Sequence, residues 1–223
     1  LENLRKAFEL RNRVTEAEKF FISSSYYLVG TGELENSIQL SDMWAQAYPR
    51  DPTPHLSSAG SYGLLGKYGN AVAETRKCLG IDPDHAICST NLLQLYALLN
   101  RLEDAKSTYQ EALRRNPDFA GLHAYAYGLA FLQGSAAEME SEAKWAADKP
   151  GWGDVVLSYQ SDTAAYSGHL RRAREFSQRA VELAQRFGQK ETAAQWQMNA
   201  ALREAEFGNV SRAHEITTAA LTT

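Results

Sequence analysis

Two metal ligands on one helix face must stand three or four residues apart. The five histidines, His55, His85, His123, His169 and His214, never meet that spacing. The two cysteines, Cys78 and Cys88, form neither a CxxC pair nor part of a Cys/His cluster. The sequence therefore supports neither a disulfide framework nor a structural zinc site, and no metal or cofactor is expected. Gly66-Lys67 resembles the end of a phosphate loop, but Ser61 stands where the first glycine belongs and Tyr68 replaces the magnesium-binding hydroxyl residue. Ser23-Ser24-Ser25 has no GxSxG elbow and no local base, so it offers no serine nucleophile. Asn209-Val210-Ser211 is formally a glycosylation sequon, but its residues read better as turn chemistry. No catalytic residue emerges, and the expectation is a protein that binds without doing chemistry.

Composition excludes further classes. Lys and Arg number 23 against 27 Asp and Glu, a net charge of -4, so no basic field draws in a phosphate backbone and nucleic acid is not expected as a partner. No stretch approaches the roughly 20 apolar residues of a membrane span, and no basic-then-apolar signal opens the chain. Membrane contact by this chain is not expected. The first residue is Leu1 and not Met, which reads as a piece of a longer protein. The cytoplasm is the favoured compartment, with the periplasm following if a membrane span precedes Leu1 in the parent.

Residues that could hold a binding surface must be positioned by helices, and turn residues mark where those helices end. Gly32, Gly66, Asn100, Gly134 and Gly168 lie 34 residues apart, and Gly208 follows after 40. Each closes a first helix (A) and lets the chain reverse into a second (B), which calls for a left-handed backbone. Glycine adopts it without a Cβ penalty and asparagine is the next best choice. A 34-residue period of this kind is the length of the tetratricopeptide repeat.

Counting the turn residue as position 15 sets the register. Position 20 reads Ser37, Ala71, Ala105, Met139, Ala173 and Ala213, and position 27 reads Trp44, Cys78, Ala112, Ala146, Ala180 and Ala220. Small side chains at these positions let helix B approach its neighbours closely. Pro49, Pro83 and Pro117 fall at position 32, where they end helix B. The fold expected is all-α, a right-handed superhelical solenoid of about six helix-turn-helix repeats. A partial preceding helix occupies 1–17 and the solenoid 18–223, with repeats at about 18–51, 52–85, 86–119, 120–153, 154–193 and 194–223. Thr15 and Glu18 make a capping box. Repeat 4 departs from the pattern, carrying the large Tyr127 and Met139 at positions 8 and 20, with Pro150 one residue early. A wider helix pair and an irregular junction are expected there. Extra residues around Phe187-Gly188-Gln189-Lys190 lengthen repeat 5.

Five strings together span nearly all of the chain: ELRNRVTEAEKFFISSSYY from Glu9, WAQAYPRD from Trp44, LNRLEDAKSTYQEAL from Leu99, DTAAYSGHLRRARE from Asp162 and ETAAQWQMNAALREAEFGN from Glu191. They resemble the tetratricopeptide region C-terminal to the catalytic domain of bacterial serine/threonine protein kinases, which is also attached to winged-helix regulators. The Gly-rich loop, VAIK lysine, HRD and DFG of a kinase are all missing from the sequence. The resemblance therefore implies a sensing, docking or regulatory segment of a larger bacterial signalling protein.

In such a repeat the inner lining is built mainly from helix A positions 2, 5, 9, 12 and 13. The expected groove residues are Tyr26, Leu64, Gln94, Phe131, Asp162, Tyr166 and Met198. Lys19 is the single cation at the lining positions considered, which disfavours a carboxylate clamp and favours an uncharged peptide, a helix or another domain of the same chain. A protein-interaction module follows, the alternative being a domain that senses a small ligand. His55 and His123 both fall at position 4 of a helix A, where a packing role is expected. Glu138 with Arg172, and Glu140 with Arg174, share positions 19 and 21 of successive B helices, so ion pairing between repeats is expected.

Overall fold

The computed structural model describes residues 1–147, 149 and 151–221, and every regular element among them is helical. Pro150 lies outside the described residues. Contacts divide the chain into two compact units, Leu1–Leu122 and His123–Thr223, with the division inside a helix.

The first unit opens with α1 (Glu2–Glu9) and continues with α2 (Glu16–Ser25), whose end widens into a π-helical stretch over Tyr26–Thr31. Thr15 and Glu18 form the expected capping box: the Thr15 hydroxyl accepts from the Glu18 amide, and Glu18 accepts from the Thr15 amide at 2.9 Å. Then follow α3 (Leu34–Ala47), α4 (Thr53–Leu64), α5 (Tyr68–Ile81), α6 (Ala86–Leu98) and α7 (Leu102–Arg115). Each helix packs on the next in antiparallel pairs. α8 (Ala120–Leu132) crosses the division.

The second unit continues with α9 (Ala136–Ala146), α10 (Gly153–Tyr166), α11 (Leu170–Arg186), α12 (Lys190–Glu206) and α13 (Val210–Ala220). The residues added around Phe187–Lys190 are absorbed as two long helices meeting at Gly188, another left-handed turn.

All six turn residues take the conformation their types suit: φ is 73° at Gly32, 69° at Gly66, 56° at Asn100, 70° at Gly134, 78° at Gly168 and 79° at Gly208. Asn100 is the single non-glycine residue with positive φ among those described. Five of these turns close with the same hydrogen bond, from the amide after the turn residue to a carbonyl five residues back. Examples are Lys67 to Tyr62 at 2.9 Å and Arg101 to Tyr96 at 2.8 Å. This bond satisfies a helix-end carbonyl that would otherwise lack a partner.

Close approach of the helices is visible in burial. Ser37, Ala71, Ala105 and Ala173 at position 20 are completely inaccessible, and every position-27 residue from Trp44 to Ala220 is buried. Where the buried residue is a serine, its hydroxyl needs a partner. Ser37 Oγ donates to the Ser24 carbonyl at 3.1 Å, and Ser61 Oγ donates to Ser37 Oγ, tying α2, α3 and α4 together. In the second unit Ser161 Oγ donates to the Ala173 carbonyl at 2.6 Å and lies 2.8 Å from Ser177 Oγ, which accepts from Arg203 Nη1.

The cysteines correct the sequence expectation. Cys78 on α5 and Cys88 on α6 are joined by a disulfide, and both are fully buried. Position 27 of one repeat packs beside position 3 of the next, so residues ten apart in sequence come within a 6.5 Å Cα separation. That proximity belongs to helix packing and has no short-range sequence signature.

Candidate functional site

Helix A ends with an exposed apolar residue in four successive repeats. Leu64, Leu98, Leu132 and Tyr166 all stand at position 13 and are 69%, 55%, 54% and 84% accessible. A large apolar side chain left in water at one repeated position is the feature of this fold that its own packing does not use.

In the first unit Leu64 and Leu98 cap α4 and α6, and Gln94 lies half-buried one turn before Leu98. Tyr26 is placed differently. Its ring stacks on Phe8 of α1 at 4.0 Å, Tyr27 meets Phe8 edge-on, and Arg11 covers the Phe8 ring at 3.8 Å. The chain's own first helix therefore occupies one face of Tyr26.

In the second unit Phe131 and Tyr166 meet edge to face at 5.5 Å, with Leu132, Met198 and Leu202 also exposed on A helices. Asp162 accepts an ion pair from the buried Arg203, whose other nitrogen bonds Ser177, so this carboxylate orients an arginine. Burial pushes the Tyr159 phenol far up, so it stays protonated.

Among the described residues, neither histidine at position 4 belongs to a group of three or more metal-ligand side chains. His55 Nδ1 lies 2.8 Å from Glu74 Oε2, and His123 Nδ1 lies 2.7 Å from Glu142 Oε2, each carboxylate standing on the paired helix B. His123 also stacks on Trp145 at 3.6 Å. Burial resists ionisation of Glu74, but hydrogen bonds from Lys77 and His55 outweigh it and hold the carboxyl below its ordinary value. The ligand atoms of Cys78, His85 and Cys88 lie within 4.8 Å of one another. With both sulfurs in the disulfide no thiolate remains, and His85 Nδ1 accepts from the Cys88 amide at 3.3 Å, so these residues act as a helix junction.

The expected ion pairs between α9 and α11 do not form. Glu140 pairs with Lys144 on its own helix at 2.8 Å, Arg174 turns the other way to hold Glu204 through two bonds of 2.6 and 2.7 Å, and Arg172 lies over the Phe176 ring. The reason is local geometry. A cleft of about 530 Å³ opens beside Tyr127 and Met139, the two large residues of repeat 4, and separates α9 from α11. The sequence pattern flagged these two residues but gave no sign of the cleft's charged wall.

No curated protein sequence matches the chain. A family model described as tetratricopeptide repeat matches residues 64–126. Among solved structures, a tetratricopeptide protein of Parabacteroides merdae shares 15% identity over 97% of this chain and 90% of its own, with a TM-score of 0.63. TTC0263 of Thermus thermophilus, a thermophilic protein of the same repeat, shares 19% over 86% and 98%, with a TM-score of 0.62. MamA of Desulfovibrio magneticus shares 17% over 77% and 97%, with a TM-score of 0.58. With the left-handed turns, the buried small residues and the paired helices, these likenesses identify the fold as an all-α tetratricopeptide-repeat solenoid and place a tetratricopeptide repeat within residues 64–126.

Proposed function

We propose that this chain is a non-catalytic protein-interaction module that takes up a mainly apolar peptide or helix on the ends of its A helices. The observation that carries the reading is the repeated exposed apolar residue at position 13, Leu64, Leu98, Leu132 and Tyr166. Apolar surface held open at one repeat position is available for burial against a partner, and helical grooves of this composition suit amphipathic or uncharged segments. Leu64 and Gln94 are the proposed contact residues of the first unit, and Phe131, Tyr166 and Met198 those of the second, while Tyr26 and Asp162, already engaged by Phe8 and Arg203, hold the lining's shape within their own units. The six repeats of 18–223, after a preceding helix at 1–17, are the proposed working unit. The resemblance of the five strings supports a parent such as a bacterial serine/threonine kinase, in which this region would dock or regulate.

A peptide library displayed against the immobilised protein tests the reading. Enriched peptides should be apolar, and their affinity should change less than about twofold between low and high salt, because screening acts on exposed charges. Tyr166→Glu and Phe131→Glu should abolish capture while the helical spectrum stays intact, since each would bury a charge without a counter-ion. Arg171→Glu, on an outer helix with its side chain 93% exposed, should be silent. Enrichment of acidic termini with steep salt dependence would overturn the proposal.

A further inference from the structure

The cleft of repeat 4 has the chemistry of a ligand site, and its geometry is independent of the A-helix ends. Met139 stands where every other repeat carries a small residue, and Tyr127 where four of the other five do; both pack against the cluster of Ala143, Ala146 and Val156 beside the cleft. Gly153 lets α10 begin hard against the end of α9: a Cβ there would come within 2.8 Å of the Ala147 carbonyl oxygen and 2.9 Å of Leu183 Cδ2. The space left is about 530 Å³, within the range that holds small organic ligands.

Its walls are unlike in character. Met139, Ala143, Val156 and Leu157 supply apolar surface on one side. Arg172 and Arg179 of α11 supply charge on the other. Both guanidinium groups lie over one ring, that of Phe176, at 5.3 and 5.9 Å, and among the described residues neither has a carboxylate within ion-pair distance. The remaining lining charges, Lys144 and Glu140, neutralise each other at 2.8 Å. Among the described residues the cleft therefore carries two positive charges with no carboxylate partner beside an apolar wall, in a chain whose net charge is -4. Arginine is weakly hydrated and its planar fork matches a carboxylate or phosphate, so an anion entering here gains paired hydrogen bonds at modest desolvation cost.

We propose that this cleft binds a small amphiphilic organic anion, its apolar body against Met139, Ala143, Val156 and Leu157 and its single carboxylate or phosphate head on Arg172 and Arg179. Nucleic acid is a poor fit to a cleft with two arginines, because polyanion binding needs many phosphate contacts.

Calorimetric titration with decanoate and with 2-naphthoate tests the site and separates an aliphatic from an aromatic body. At least one should bind saturably with one-to-one stoichiometry, and decanol and acetate, lacking the head and the body respectively, should bind at least tenfold more weakly. The double variant Arg172→Gln/Arg179→Gln, altered only at exposed positions, should lose at least tenfold in affinity with its helical spectrum unchanged. Ala143→Trp, which fills the apolar wall, should lose binding as well. Tyr166→Glu should leave anion binding untouched, so failure of the A-helix reading and failure of this one are distinguishable. Absence of saturable binding by both acids, equal binding of decanol, or full affinity in the double arginine variant would each overturn the proposal.

Discussion

His123 Nδ1 lies 2.7 Å from Glu142 Oε2, and the same sequence separation of 19 relates His55 to Glu74, which meet at 2.8 Å. The same helix A position thus reaches the same helix B position in two repeats, and each histidine seats its carboxylate against the paired helix. The His123 side chain is 8% exposed and stacked on Trp145, whereas the His55 side chain is 17% exposed. His123→Ala should therefore destabilise by about 2 to 4 kcal/mol through the lost ring packing and the lost hydrogen bond to Glu142. His55→Ala should cost about 1 kcal/mol. Denaturant melts of both variants check the order, and a larger loss at His55 would contradict it.

The disulfide closes a loop between residues ten apart. Loop closure over that span restricts the unfolded chain by about 2 to 3 kcal/mol in the chain-entropy view. Thermal melts with and without a phosphine reductant should differ accordingly, and Cys78→Ala/Cys88→Ala should abolish the difference. Because both sulfurs are completely buried, an alkylating reagent should label neither in native oxidised protein. Stoichiometric labelling without prior reduction would show the cysteines to be free thiols.

Ala105 is completely inaccessible where α7 meets its neighbours, so Ala105→Leu should overpack the crossing and cost about 1 to 3 kcal/mol. Met139 holds the equivalent position in repeat 4 but is half-buried beside the cleft. Met139→Leu, nearly equal in volume, should cost less than about 1.5 kcal/mol. Equal losses at the two positions in chemical unfolding would show that the cleft does not relax packing there.

Acid should loosen the second unit through Glu204. Hydrogen bonds from Arg174 are the largest influence; burial, next in size, works against them, and with further help from Asn209 and Arg212 the carboxyl is held below the ordinary value of 4.5. A folded-state value lower than the unfolded one means that the stabilisation is present above the unfolded value and is lost as pH falls through the folded one. Glu74 acts in the same direction in the first unit. Melting temperature should be level near neutral pH and fall progressively below about pH 4.5, the unfolded-state value. Glu204→Gln should lower the neutral-pH plateau and flatten the acid limb. An unchanged acid limb in that variant would remove Glu204 from the account.

Much of the fold was legible because its signals are local to the chain. A reversal that needs positive φ admits Gly, and then Asn, so Gly32 through Gly208 could be found by type and spacing and all proved left-handed. The small residues at position 20 were readable for a similar reason, since a helix crossing that leaves no room excludes large side chains whatever lies opposite. Thr15 and Glu18 sit three residues apart in one turn, so their mutual capping needed no distant partner.

What tertiary structure decided were pairings whose distances the sequence does not encode. Cys78 and Cys88 looked solitary until α5 and α6 packed against each other, and Arg174 matched Glu140 in register but found Glu204 nearer. A charged side chain can turn to either neighbouring helix, so repeat position limits its partners without choosing among them. The inner lining positions were readable, yet whether each residue stayed exposed depended on what packed over it: Tyr26, at position 9, lies under Phe8, while Tyr166, at position 13, stands in the open. The cleft beside Tyr127 belongs to the same category, because a residue too large for a close crossing announces a gap, but only the placement of α9, α10 and α11 sets its volume and puts two arginines on its wall.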